Sequence, residues 1–188
     1  YEYFDRKEHN TKEVLNDYEE IHIGQDFNIG GCCSVVFSLR ADKTHIVDEF
    51  SSHDTQDIVF NINKRYPNRH IVIYPDASGY AGKTNASLSD IDILRNAGFK
   101  INAPRKNGRV KDRVNTVNNL LSKNKLLINT TKCPETTKAL EQQAYDKNGE
   151  PEKFNGASTV DDWNDALGYF LVRQFHKPKN VDLRMRIG

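Results

Sequence analysis

The sequence predicts an α/β domain with a mixed central β-sheet and helices on both faces. Three observations predict it. Early in the chain, three short β-branched and aromatic runs are separated only by turns, the pattern of an antiparallel meander. Later, strand-length apolar runs alternate with helical periodicities, as parallel strands with helical crossovers require. The chain has 188 residues and no internal repeat, which suits one domain with its own core.

Residues 1–19 are polar, charged and poorly periodic, and read as a linker or the end of a preceding domain. Residues 20–176 carry the fold. The meander strands are Ile21–Phe27, Cys32–Leu39 and His45–Phe50, joined through Asn-Ile-Gly-Gly and Arg-Ala-Asp-Lys turns. Ile58, Ile62 and Tyr66 recur at four-residue spacing in a helix from Gln56 that Pro67 stops. "RHIVIY" is a buried strand, and Ser89 to Ala97 is a helix ended by Gly98. "FKINAP" is another strand, and Val110, Val114, Val117 and Leu121 mark an amphipathic helix. "KLLINT" is a short strand, after which Pro134 opens a helix at its first turn. "DKNGEPEKFNGAST" is a loop, and the last helix runs from Asp161 to His176 with Trp163, Leu167, Phe170 and Leu171 inward. Residues 177–188 form a basic tail. The expected order is β-β-β-α-β-α-β-α-β-α-α.

Hydrophobic residues make up 37% and charged residues 28%, so the surface is strongly polar. A net charge of +1 decides nothing about nucleic acid, and the distribution of charge matters more. No apolar run is long enough for a membrane span and no leader pattern is present. The single methionine is Met185, and a start at "YEYFDRKEHN" reads as a fragment of a longer protein. Cys32, Cys33 and Cys133 are odd in number and lack ligand spacing, which fits buried thiols rather than a disulfide framework or a zinc site.

The stretch "HIVIYPDASGYAGKTNASLSD" admits two chemistries. Ala77–Thr84 approximates a phosphate-binding loop of a nucleotide hydrolase, but Ala77 stands where that loop needs glycine. No later strand ends in the acid that would hold Mg²⁺. The other chemistry uses carboxylates. Asp26 ends the first strand, Asp76 ends the fourth, and Asp162 and Asp165 share one face at the start of the last helix. Such acids can converge at one edge of a sheet. Two Mg²⁺ or Mn²⁺ ions roughly 3.5–4 Å apart would need hard oxygen ligands of this kind to cleave a phosphodiester. Taken singly, each acid also fits a cap or a turn; the joint pattern favours the metal.

The segments "IGQDFNIGG", "HIVDEF", "IYPDASG" and "STVDDWNDALGYF", over roughly residues 20–176, resemble the C-terminal nuclease domain of the large terminase subunit of tailed bacteriophages, in the ribonuclease H-like superfamily. The closing "DDWNDALGY" is the most specific element, and Asp-x-x-Asp-Ala at a helix start also appears in related junction-resolving nucleases. The resemblance implies metal-dependent, largely nonspecific cleavage of double-stranded DNA during genome packaging in the host cytoplasm. Asp26 and Asp76 would be metal ligands, with the third ligand from Asp162 or Asp165, while Asp161 caps. Glu49 fits a family position beside the site, and Asp57 is the nearest match to the extra helical acid of cellular ribonucleases H. The resemblance further implies an N-terminal ATPase domain in the full chain, with portal and small terminase subunit as partners. A ribonuclease H-like DNA-binding module without catalysis is the competing expectation.

DNA contact is expected from "KINAPRKNGRVKDR", where Lys100, Arg105, Lys106, Arg109, Lys111 and Arg113 face only Asp112. Such a patch neutralises phosphates without reading sequence. Lys83 would reach a phosphate as a point charge. The tail "HKPKNVDLRMRIG" is a candidate for portal docking.

Overall fold

Each run folds as the element its pattern dictates, in a computed structural model that describes residues 1–28, 31–81, 88–145 and 160–175. The strands are β1 (Ile21–Asp26), β2 (Cys32–Arg40), β3 (Lys43–Ser52), β4 (Ile71–Pro75), β5 (Lys100–Ile101) and β6 (Leu126–Ile128). The helices are α1 (Thr55–Arg65), α2 (Asp90–Asn96), α3 (Val110–Ser122), α4 (Pro134–Gln142) and α5 (Val160–Phe175), with a 3-10 turn at Ala77–Tyr80. The six strands form one sheet in the order β5-β4-β1-β2-β3-β6. β1, β2 and β3 pair antiparallel as a meander, whereas β4 joins β1, β5 joins β4 and β6 joins β3 in parallel. The expected mixed sheet is therefore the observed one.

Alternation along the strands separates two cores. Val35, Phe37, Val72 and Tyr74 face the layer of α3, α4 and α5, in a cluster with Val117, Leu140, Trp163 and Phe170. Ile21, Ile23, Val36 and Ile73 face the other way, against Ile58 and Ile62 of α1 and Leu94 of α2. Helices cover both faces, and the strands are apolar on both sides as this requires. All three cysteines are buried thiols outside any disulfide among the described residues.

"FKINAP" forms much less strand than expected, two residues only. Asn102 N–H adds one more rung to Ile73 O at 2.9 Å, and Pro104 soon follows without a donor to continue the ladder. Residues 1–19 lie against the domain. Ile128 N–H donates to His9 O at 2.8 Å and Thr11 N–H to Ile128 O at 2.9 Å, so this segment runs beside β6. Arg40 pairs with Glu13 and Glu19, and Arg6 forks onto Glu141. No helix among the described residues is long and apolar enough to cross a membrane.

Candidate metal centre

The parallel pairing of β1 with β4 brings two strand-end carboxylates together. Gln25 is in register with Pro75, and Asp76 N–H reaches Gln25 O at 3.3 Å, so Asp76 leaves the sheet beside Asp26. Both acids continue the side-chain phase that faces α5: His22, Gly24 and Asp26 on one strand, Val72, Tyr74 and Asp76 on the next. Asp26 and Asp76 are only 8% and 5% exposed, and neither has an ion-pair partner among the described residues, which is unusual for buried acids.

Helix α5 crosses above them at very short range. A Cβ built on Gly24 would stand 2.0 Å from the carbonyl oxygen of Ala166, so only glycine lets the helix backbone rest on β1. Ala166 follows Asp165 directly, and Gly24 lies two residues before Asp26. This one contact sets the first turns of α5 over the strand ends. Asp162 accepts from Asn28 Nδ2 at 2.9 Å, and Asp165 is paired with Arg113 of α3. Asn164 anchors the helix sideways, donating to Ala139 O at 3.1 Å and Gln143 Oε1 at 2.8 Å.

These carboxylates sense one another. Burial, then the charges of Asp165, Asp76 and Asp162, push the Asp26 carboxyl up to about 8. Burial also raises Asp162, with Asp161 and Asp165 adding to it against the Asn28 hydrogen bond. Asp76 Oδ2 accepts from Ser78 N–H at 3.1 Å, but its Oδ1 is buried without any partner among the described residues. An orphaned, buried carboxylate oxygen next to a second buried acid fits a hard divalent cation. Among the described residues no three metal-binding side chains yet converge tightly enough to cage an ion. Asp162 and Asp165 are each engaged through Oδ1, by Asn28 and Arg113 respectively.

The turn after Asp76 is not built for a nucleotide phosphate. Ala77 N–H is taken by Asn107 Oδ1 at 2.7 Å, and Ser78 N–H by Asp76 itself. Gly79 is covered by the Phe27 ring, 2.5 Å from where its Cβ would be. Lys83 and the rest of the Gly-Lys-Thr segment lie outside the described residues, as do the loop 146–159 and the tail 177–188.

Asn107, which carried no role in the sequence, docks the basic loop on the Asp76 turn. Arg105, Lys106, Arg109 and Lys111 are exposed on and just after that loop, and Lys100 is exposed on β5. Arg113 stands apart from them: its side chain is 6% exposed and paired with Asp165. Helical phase was the available signal, because Arg113 shares the face of Val110, Val114 and Val117. Glu49 accepts from Glu135 N–H and Thr136 N–H at 2.7 and 2.8 Å, capping α4. Asp57 accepts from His53 N–H at 2.9 Å, while Asp54 caps α1.

A model of the terminase RNaseH-like domain matches residues 10–174. No curated protein matches the chain. Among solved structures, the large terminase of a thermophilic bacteriophage superposes with a TM-score of 0.70 at 20% identity, covering 92% of this chain and 44% of that one. This chain thus spans less than half of that protein's length. The P22 large terminase nuclease domain gives a TM-score of 0.69 at 16% identity, with 92% and 91% covered. The large terminase nuclease domain of bacteriophage SPP1 with bound Mn gives 0.58 at 18% identity, with 87% and 93% covered. With the family model spanning most of its length and these structures sharing its fold, the chain belongs to the terminase RNaseH-like domain family.

Proposed function

We propose that this domain is a metal-dependent endonuclease that cuts double-stranded DNA during viral genome packaging. The observation that carries this reading is the buried Asp76 Oδ1, without a partner among the described residues, beside the buried Asp26. Asp26, Asp76, Asp162 and Asp165 supply oxygen donors enough for two Mg²⁺ or Mn²⁺ ions. When bound, such ions supply Lewis-acid activation of water and neutralise charge at the phosphodiester. The protein's part is positional. Strand ends fix Asp26 and Asp76, and the Gly24–Ala166 contact brings the α5 acids over them. Arg105, Lys106, Arg109 and Lys111, docked through Asn107 next to Asp76, hold the DNA backbone against that edge.

The domain works within a longer chain that carries an ATPase, with portal and small terminase subunit as partners in the host cytoplasm. The manganese-bound SPP1 domain supports the choice of ion. The test is digestion of supercoiled plasmid by the chain and its Asp76→Asn variant, with Mg²⁺, Mn²⁺ or chelator and without ATP. The expected outcome is metal-dependent linearisation and degradation, lowered at least ~100-fold in the variant. Equal cleavage by both proteins would place the activity elsewhere, and DNA binding without cleavage by either would favour the non-catalytic module.

A further inference from the structure

Asp165, Gly168 and Tyr169 share one face of α5. Together they form a slot filled by a single side chain, Arg113 of α3. Its Nη2 donates to Asp165 Oδ1, and its guanidinium carbon stands 4.9 Å from the centre of the Tyr169 ring. Its aliphatic stem lies on bare helix backbone at Gly168, where a Cβ would sit 2.9 Å from Arg113 Cδ. The pair is uneven in burial: the arginine side chain is 6% exposed and the aspartate 36%. Among the described residues the other aspartate oxygen, Oδ2, has a single long contact of 3.4 Å from the Tyr169 hydroxyl. One oxygen is therefore held by the arginine, and the second is the less engaged of the two.

A surface arginine needs none of this. A glycine cleared for its stem, a ring under its charge and a buried guanidinium describe a side chain placed to act on Asp165. Its one charge-assisted hydrogen bond restrains the Asp165 carboxylate and leaves the second oxygen to serve as a single ligand to an octahedral ion. We propose that Arg113 is a positioning residue of the metal centre, aiming Asp165 at the ion rather than contacting DNA. The inference rests on the reading of Asp165 as a metal ligand.

The test is calorimetric titration of Mn²⁺ into chelator-treated protein without DNA, for the whole chain, Asp76→Asn, Arg113→Gln and Arg113→Lys. Near-UV circular dichroism of each variant establishes that it is folded. Arg113→Gln is expected to weaken Mn²⁺ binding by about 10–100-fold, the usual cost of removing a group that orients a metal ligand. Arg113→Lys, which keeps the charge and loses the planar guanidinium, is expected to fall between it and the wild type. A merely structural arginine would lower the melting temperature and leave the affinity of the folded protein unchanged. Wild-type affinity in folded Arg113→Gln overturns the proposal; if that variant does not fold, wild-type affinity in Arg113→Lys overturns it. Asp76→Asn separates the two levels. If it binds Mn²⁺ as tightly as the wild type, the metal-centre reading itself fails, and the role of Arg113 fails with it.

Discussion

At the scale of single residues, the site depends on Gly24 as much as on its acids. A Cβ there meets the Ala166 carbonyl at 2.0 Å, and backbone cannot step aside as a side-chain tip would. Gly24→Ala must lift α5 from β1, and overpacking of this kind costs at least ~1–3 kcal/mol. Because the displaced helix carries Asp162 and Asp165, cleavage should fall further than the melting temperature alone explains. Denaturant unfolding alongside plasmid digestion checks this; a stable, fully active Gly24→Ala would show that the helix contact does not set the site. Asp26 and Asp76 were legible in the sequence because an acid at the end of an apolar strand is conspicuous. Gly24 was not, since a glycine inside a strand signals a bulge as readily as a close approach. Arg113 was absorbed into the basic run around it, although its helical phase put it on the buried face.

At the scale of elements, Glu49 shows how a conspicuous acid is used for building. Helix α4 begins at Cys133, which offers no side-chain cap, and Pro134. Its exposed donors at Glu135 and Thr136 are met instead by the Glu49 carboxylate from β3. Burial raises the Glu49 carboxyl, and the hydrogen bonds from Thr136 and Glu135 oppose that rise. Since α4 carries the Ala139 carbonyl that anchors Asn164, this cap supports α5 at one remove. Glu49→Ala should cost about 2–3 kcal/mol, the worth of hydrogen bonds to a charged group, while leaving Mn²⁺ affinity intact. A loss of Mn²⁺ binding as large as that in Asp76→Asn would instead make Glu49 a ligand. The order of strands and helices was legible throughout because each carried its own period and stop signal. What could not be read was pairing across distance, such as Glu49 with α4, or how soon β5 leaves the sheet.

At the scale of the whole molecule, the carboxylate edge makes stability depend on pH and on metal together. Asp26 has an ordinary value of 3.8 and is pushed up to about 8 in the fold. Across that window the folded protein binds the proton more tightly than the unfolded chain does. Taken alone, this carboxyl makes the metal-free protein lose stability as pH rises from about 4 to 8, by at most ~1.4 kcal/mol per pH unit. His22 and His45 work in the opposite direction: burial lowers both, so their cost to folding disappears as pH rises toward 6.5. The net slope of the wild type is thus a difference, and Asp26→Asn isolates one side of it. In chelator, Asp26→Asn should gain stability over the wild type progressively between pH 5 and 8, and Asp76→Asn should stabilise at pH 8 by removing one repelling charge. Added Mn²⁺ should reverse the order at pH 8, because the ion neutralises the cluster only where all its ligands remain. Thermal melts of the three proteins at pH 5, 6, 7 and 8, with chelator or with Mn²⁺, decide it. Parallel stability curves in chelator would mean that the acids at the sheet edge do not share one field, and a melting order unchanged by Mn²⁺ would mean that they do not share an ion.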